Sequence, residues 1–293
     1  MAKVYIRFPG TGLGNMLLVW AKGIVFAQLN NLPYTTTLWG GVHWGALLRR
    51  EKKNRFYFGY FTETSLWKRL AIRIYCISAD IDLNPVVEVV VASGSNEKKV
   101  YLFNKALTGT DVFGSIRDHS AMVTEELFNT IPQKMKNKLS GYQNPVVGIH
   151  IRRGDFKLGN QTTPLKYFIK AINVVRAAFN QNCQVTVFTD AHEAELTELL
   201  CMPNIHIAED KPDILDIILL SRSKIMILSK SSTFGYWAAF LSDAIVIRPV
   251  NDWQPLIKNN SMNGYRDITW NYEVEESEYE LKGKLITEKR LLS

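Results

Sequence analysis

Apolar residues run almost without interruption over Val146 to Ile151, Lys224 to Leu228 and Ala244 to Ile247. Between and around these runs they recur at helical spacing, from Leu165 to Phe179, Ile214 to Ser221 and Phe234 to Leu241. Short continuous apolar runs are the mark of strands covered on both faces, and helices intervening between them make the sheet parallel. A strand over Gln184 to Thr189, a helix over Glu193 to Leu200 and a short strand over Ile205 to Ala208 complete the series. The second half of the chain is therefore expected to be a doubly wound α/β sheet, in which ligands bind beyond the carboxyl ends of the strands.

The first half opens in the same way. A strand over Lys3 to Phe8 meets a glycine turn, Pro9 to Asn15, and a helix over Met16 to Leu29. Strands are expected over Val86 to Val91 and Lys99 to Phe103, and a helix over Ser120 to Ile131. The polar, lysine-rich stretch Gln133 to Pro145 precedes the first strongly buried strand, so two domains are expected, residues 1–142 and 143–293. The tail from Glu273 is charged and reads as helical or frayed, and no internal repeat is evident.

Composition narrows the class. With 293 residues and 46% hydrophobic side chains, the chain can bury a core in each of two domains, which excludes disorder, collagen and coiled coil. No apolar run approaches the ~20 residues that cross a bilayer. The start reads as a first strand rather than a secretion signal. Cys76, Cys183 and Cys201 are far apart and match no metal spacing, as buried thiols in a reducing compartment would be, so a cytoplasmic protein is expected. The net charge of +7 is partly concentrated in Arg49, Arg50, Lys52, Lys53 and Arg55, then Lys68, Arg69 and Arg73, with aromatic Phe56, Tyr57, Phe58, Tyr60, Phe61 and Trp67 between. Residues 49–73 thus read as a surface for an anionic membrane or a sugar chain, or as a solvated face. Nucleic acid is the weakest partner, since no recognised binding motif is present.

Three motifs lie where strands hand over to helices. In Gly10-Thr11-Gly12-Leu13-Gly14-Asn15, asparagine stands where a dinucleotide fingerprint needs its third glycine, and no P-loop lysine follows. What remains is a turn that serves structure or approaches a ligand phosphate or sugar. His150-Ile151-Arg152-Arg153-Gly154-Asp155 ends a buried strand, where two arginines are costly unless neutralised by each other's partners or by a ligand. Strand alternation sends His150 and Arg152 to one side and Arg153 to the other, making Arg152 the candidate grip on a phosphate, with Arg153 and Asp155 pairing to stiffen the loop. Ser229-Lys230-Ser231-Ser232-Thr233 delivers hydroxyls to a helix start, which can cap the helix or hold an anion, and Asp216 in the preceding helix can accept from a nucleobase or face solvent. Asp80-Ile81-Asp82 looks like the carboxylate pair of metal-dependent sugar-nucleotide transferases but lacks further ligands, and reads as a loop cap; no metal site is expected.

Together, Gly12-Leu13-Gly14-Asn15, His150 to Asp155, Asp216 to Ser221 and Ser231 to Trp237 resemble the ordered motifs of the α1,2-fucosyltransferases, glycosyltransferase family 11. The His-x-Arg-Arg-x-Asp element is shared with α1,6-fucosyltransferases and nodulation fucosyltransferases. The resemblance implies a GT-B fold, two Rossmann-like domains facing across a cleft, the first for the acceptor and the second for GDP-β-L-fucose, with inversion and no metal. It implies that His150 and Asp216 contact guanine, that Arg152 holds the diphosphate with Arg153, Ser231, Ser232 and Thr233 around it, and that Asn15, beside Gly12 and Gly14, faces the fucose and acceptor. Phe156 stands where tyrosine is frequent, Lys230 where asparagine is, and Gly235-Tyr236-Trp237 where Ser-Trp-Trp is more usual.

The expected reaction is therefore transfer of fucose from GDP-fucose to a sugar hydroxyl, O2 of galactose in a lipopolysaccharide or O-antigen unit. The departing diphosphate gains negative charge, which Arg152 would stabilise. Asp155 is the nearest carboxylate to take the acceptor proton, and transfer to water or to the departing phosphate is equally admissible. Competing readings are a non-catalytic GDP-sugar or glycan-binding module, a transferase of another GDP-sugar, and a nucleic-acid binder on residues 49–73. The absence of a membrane anchor points to a bacterial-type cytosolic enzyme, docking peripherally on the inner membrane face to reach a lipid-linked acceptor.

Overall fold

The computed structural model describes residues 2–41, 56–91, 98–107, 109–154, 162–259 and 264–292. These fall into two compact units, the first ending at Asn137 and the second beginning at Lys138.

In the first unit β1 (Ala2–Ile6) leads into α1 (Leu13–Leu29), followed by β2 (Tyr34–Thr36), α2 (Leu66–Ile77), β3 (Asp80–Leu83), β4 (Lys99–Phe103) and α3 (Ser120–Thr130). The four strands are parallel in the order β2-β1-β4-β3. Every residue of α1 from Met16 to Ala27 is buried, Lys22 included; its Nζ donates to the Ala106 carbonyl at 2.8 Å, and burial draws its pKa down to about 8. Helix α4 (Gln133–Leu139) occupies much of the stretch that reads as a polar linker.

Val86 to Val91 is not a strand. Asn84 turns the chain at φ +51° and Pro85 has no amide to give a ladder, so the third strand is Asp80–Leu83, the segment that reads as a loop cap. Asp80 and Asp82 lie 4.0 and 3.7 Å from Lys99 Nζ on the neighbouring strand. The valine run is pinned instead by the Asn30 side chain, which donates to the Val89 carbonyl and accepts from the Val91 amide. Within the aromatic stretch, Tyr57 and Phe61 are buried rather than on a surface, while Arg49, Arg50, Lys52, Lys53 and Arg55 lie outside the described residues. Of the three thiols, Cys183 is buried, Cys76 half-buried and Cys201 exposed, correcting the expectation of three buried cysteines.

The second unit carries β5 (Val147–Ile151), α5 (Leu165–Ala178), β6 (Val185–Thr189), α6 (Thr197–Leu200), β7 (Ile205–Ile207), α7 (Asp213–Ser221), β8 (Ile225–Leu228), α8 (Thr233–Phe240), β9 (Ile245–Pro249), β10 (Arg266–Trp270) and α9 (Glu276–Leu292). Its six parallel strands lie in the order β10-β9-β8-β5-β6-β7. β5, β8 and β9 are buried at every position, as helices on both faces require. Chain order reverses between β5 and β8, so this unit's ligand crevice is expected at their carboxyl ends.

Gly148 shows how tightly β5 is covered. A Cβ there would lie 2.2 Å from Ser223 Oγ and 2.6 Å from Leu220 Cδ1, both at the end of α7. Gly148→Ala should cost about 1–3 kcal/mol by overpacking, measured as a fall in the urea midpoint with an unchanged m-value.

Candidate functional site

At the switch point, one hydroxyl ties two strand ends together. Ser229, immediately after β8, donates its Oγ to the His150 carbonyl at 3.1 Å and accepts the Arg152 amide at 2.9 Å, while its own amide bonds the same carbonyl. His150 and Arg152 at the end of β5 are thereby brought against the turn that opens α8. The His150 ring stacks on Phe234, with centroids 4.9 Å apart and planes 19° apart. Burial, aided by the Arg152 charge, lowers the imidazole pKa to about 3, so the ring is neutral and its buried Nδ1 has no protein partner. Gly235 makes room for it, since a Cβ there would sit 3.1 Å from Nδ1.

Both arginines depend on Asp190, just past β6. Arg152 Nη1 meets Asp190 Oδ2 at 2.5 Å, and the Arg153 amide donates to Oδ1 at 2.7 Å. Gly154 permits the approach, because a Cβ would come 2.5 Å from Oδ2. Arg153 turns inward as strand alternation requires: it is buried and its Nη1 donates to the Thr163 carbonyl at 2.8 Å, with burial lowering its pKa against the pull of Glu195 and Asp190. Thr163 also accepts the Lys230 amide through its Oγ1. Asp155 lies outside the described residues.

The α8 turn is held from below. Ser231 adopts φ +60°, unusual for a residue with a side chain, and its amide donates to the Tyr236 hydroxyl at 2.7 Å and to Asp252 Oδ1 at 3.0 Å. The Tyr236 hydroxyl donates to the same Asp252 oxygen. Asp252 in turn accepts Arg248 Nη1 at 3.0 Å, and Arg248 is fully buried. Ser232 occupies the N-cap position of α8 but makes no side-chain capping bond, and Thr233 is its first residue. The hydroxyl of Ser232 thus does not serve as the ordinary cap.

Asp216 lies in the first turn of α7, buried, its carboxylate 3.2 Å from Lys211 Nζ. That ammonium is itself buried, donating to the Glu209 carbonyl at 2.7 Å and sitting 5.1 and 5.6 Å from the Tyr142 and Phe188 rings. In the first unit, Gly12 is the N-cap of α1 and Gly14 is buried within its first turn. The Leu13 amide is taken by the Tyr57 hydroxyl at 3.0 Å, so this helix start is partly closed by protein. The Asn15 Oδ1 is buried without a hydrogen-bond partner, an acceptor left for a hydroxyl donor.

The family model described as Glycosyl transferase family 11 matches residues 96–274, more than half of the chain. The chain belongs to glycosyltransferase family 11. No curated protein matches this family 11 glycosyltransferase in sequence. Among solved structures it is similar to the NodZ α-1,6-fucosyltransferase co-crystallized with GDP, at 14% identity and TM-score 0.53, covering 86% of this chain and 96% of that one. The fucosyltransferase NodZ from Bradyrhizobium gives 14% and 0.51 over 83% and 94%. The E. coli ADP-heptose lps heptosyltransferase II gives 12% and 0.50 over 98% and 99%. These likenesses show the fold, GT-B, with two parallel α/β units.

Sequence reasoning missed Asp190, Lys211, Arg248 and Asp252. Asp190 carried a signal, as an acid directly after a strand neighbouring the arginine strand. Arg248 carried another, an arginine inside an apolar strand; Lys211 and Asp252 sit in turns whose packing no local pattern reveals.

The neutral His150 has a consequence for acid stability. Its folded pKa of about 3 lies below the ordinary 6.5, so its contribution is complete above about pH 6.5 and is lost as pH falls toward 3, where the unfolded chain alone takes up the proton. In urea melts between pH 7.5 and 4, His150→Gln should show a shallower loss of stability than the parent, by at most about 1.4 kcal/mol per pH unit.

Proposed function

We propose that this family 11 enzyme transfers L-fucose from GDP-β-L-fucose to O2 of a galactose in a glycan acceptor, inverting the anomeric carbon without a metal ion. The observation that carries the reading is the joining of the β5 and β8 ends by Ser229, which sets the Arg152 loop and the α8 N-terminus at one switch point. Support comes from the fold likeness to NodZ, an α-1,6-fucosyltransferase co-crystallized with GDP, and from the resemblance of the His150 to Asp155 motif to that of such enzymes.

In the proposed reaction the fucosyl C1–O bond breaks as the acceptor oxygen attacks from the opposite face, the bonding pair leaves on the diphosphate, and the acceptor hydroxyl's proton passes to water or to the departing phosphate. Charge develops on the phosphate oxygens, and a guanidinium fixed beforehand stabilises it without reorganising. Asp190 fixes it, acting as a positioning residue. The Ser231 hydroxyl and the amides and hydroxyls of Ser232 and Thr233 are offered to the same anion, the Ser231 amide being taken by Tyr236 and Asp252, while His150, neutral and with Nδ1 unpartnered, accepts from the guanine together with Asp216. Arg153 is a structural tie in this scheme, since its guanidinium is committed to the Thr163 carbonyl.

Mass analysis of products from GDP-fucose, GDP-mannose and galactosyl-terminated glycans should show transfer of a deoxyhexose from GDP-fucose alone. Folded Arg152→Ala should lose about 10²–10³ in kcat. Transfer of mannose, GDP binding without any transfer, or full turnover by Arg152→Ala would each reject the assignment.

The acceptor is proposed to be lipid-linked, met at an anionic bilayer surface. The support is α2, whose sheet side buries Ile72 against Tyr5 and Val100, while Leu66, Trp67, Leu70, Ile74 and Ile77 share the opposite, solvent side, with Trp67 79% and Ile77 85% exposed. Lys68 and Arg73, both exposed, flank that stripe, the arrangement of a helix lying in an anionic interface. Vesicles containing phosphatidylglycerol should sediment the protein and phosphatidylcholine vesicles should not, with Trp67→Glu/Ile74→Glu lowering the bound fraction; indifference to lipid charge would count against it.

A further inference from the structure

The first unit holds a pocket of about 580 Å³ at the carboxyl ends of β1 and β2, one flank of which is α2. Three guanidinium groups line it: Arg7 directly after β1, and Arg69 and Arg73 one turn apart on α2. Among the described residues, neither Arg7 nor Arg73 has a carboxylate within ion-pair distance, and Arg69 reaches Glu63 only at 3.8 Å, its buried Nη1 forming no hydrogen bond. Glu63 is already committed, both oxygens accepting the Trp39 amide at 3.2 and 3.3 Å, and burial raises its pKa against these bonds and Arg69. The pocket is therefore a site of concentrated positive charge, its three guanidinium groups met by one carboxylate, Glu63, within ion-pair distance among the described residues. The rest of its wall is largely apolar, with Phe8 packed on Trp39 at 4.1 Å between centroids.

We propose that this pocket binds an anionic group carried by the glycan acceptor, a phosphate or a carboxylate attached to a sugar. The chemistry fits both features of the wall. Guanidinium forks match the oxygens of phosphate and carboxylate, and the apolar side accommodates the non-polar face of a sugar ring. The volume lies in the range of small-molecule sites and has room for a sugar with its charged substituent. Two sources share that chemistry, the phosphate that joins a glycan to a carrier and the carboxylate of an acidic sugar. The inference rests on the transferase reading for the word acceptor, but the pocket's selectivity is measurable without any transfer.

Calorimetry on the full chain with galactose, galactose 1-phosphate and galacturonic acid reads that selectivity directly. At least one anionic sugar should bind about tenfold or more tightly than galactose, as one charge-assisted contact gives, and which one prefers the site identifies the source. Arg69→Gln/Arg73→Gln should abolish the preference, whereas Lys134→Gln, which removes an exposed charge outside the pocket, should keep it. Equal affinity for all three sugars, or a preference that survives in the double arginine variant, overturns the proposal. Acceptor KM values for neutral and anionic galactosides at saturating GDP-fucose separate the two readings. Transfer without an anionic preference rejects the pocket alone, and an anionic preference in binding without any transfer rejects the fucosyl reaction alone.

Discussion

One guanidinium, sealed from water, sets the shape of the turn that opens α8. Arg248 spends all five of its N–H groups inside the protein, on both oxygens of Asp267, on Asp252 and on the carbonyls of Gln254 and Pro255. A charge in that position is tolerated only because every donor is matched; deleting a partner from such a cluster typically costs about 3–5 kcal/mol. Through Asp252 the cluster reaches Tyr236 and the amide of Ser231, and so fixes a left-handed residue that the backbone alone would not choose. The hydroxyl turn before α8 is thus positioned by a strand, β9, that contributes no residue to it.

The same economy governs the arginine loop. Asp190 receives the Arg152 side chain on one oxygen and the Arg153 main chain on the other, so a single carboxylate decides where two consecutive residues go. Ser229 does the corresponding work between β5 and β8. Each group removes freedom from what it ties, Arg152 and Arg153 in the one case and the ends of β5 and β8 in the other.

Much of the second unit was legible because its strands are continuous apolar runs and its helices keep their period, so β5, β6, β8 and β9 fall within a residue or two of expectation. β10 was not, because Arg266 and Asp267 belong to ion pairs that no periodicity reveals. In the first unit, valine content suggested a strand where Asn84 and Pro85 forbid one, and two aspartates concealed a strand that pairs through its backbone and meets Lys99. The motif residues His150, Arg152 and Ser231 to Thr233 do lie at one switch point, but their side-chain hydrogen-bond partners lie from 5 to 79 residues away in the chain, and only folding puts them there.

The close fit of His150 against Gly235 couples two positions that are 85 residues apart in the chain. At Gly235 the space a side chain would take is filled by an imidazole edge, a Cβ there meeting His150 Nδ1 at 3.1 Å. The two identities form a matched pair, so that a larger residue at 235 requires the His150 ring to shift by a few tenths of an ångström from the place where it stacks on Phe234.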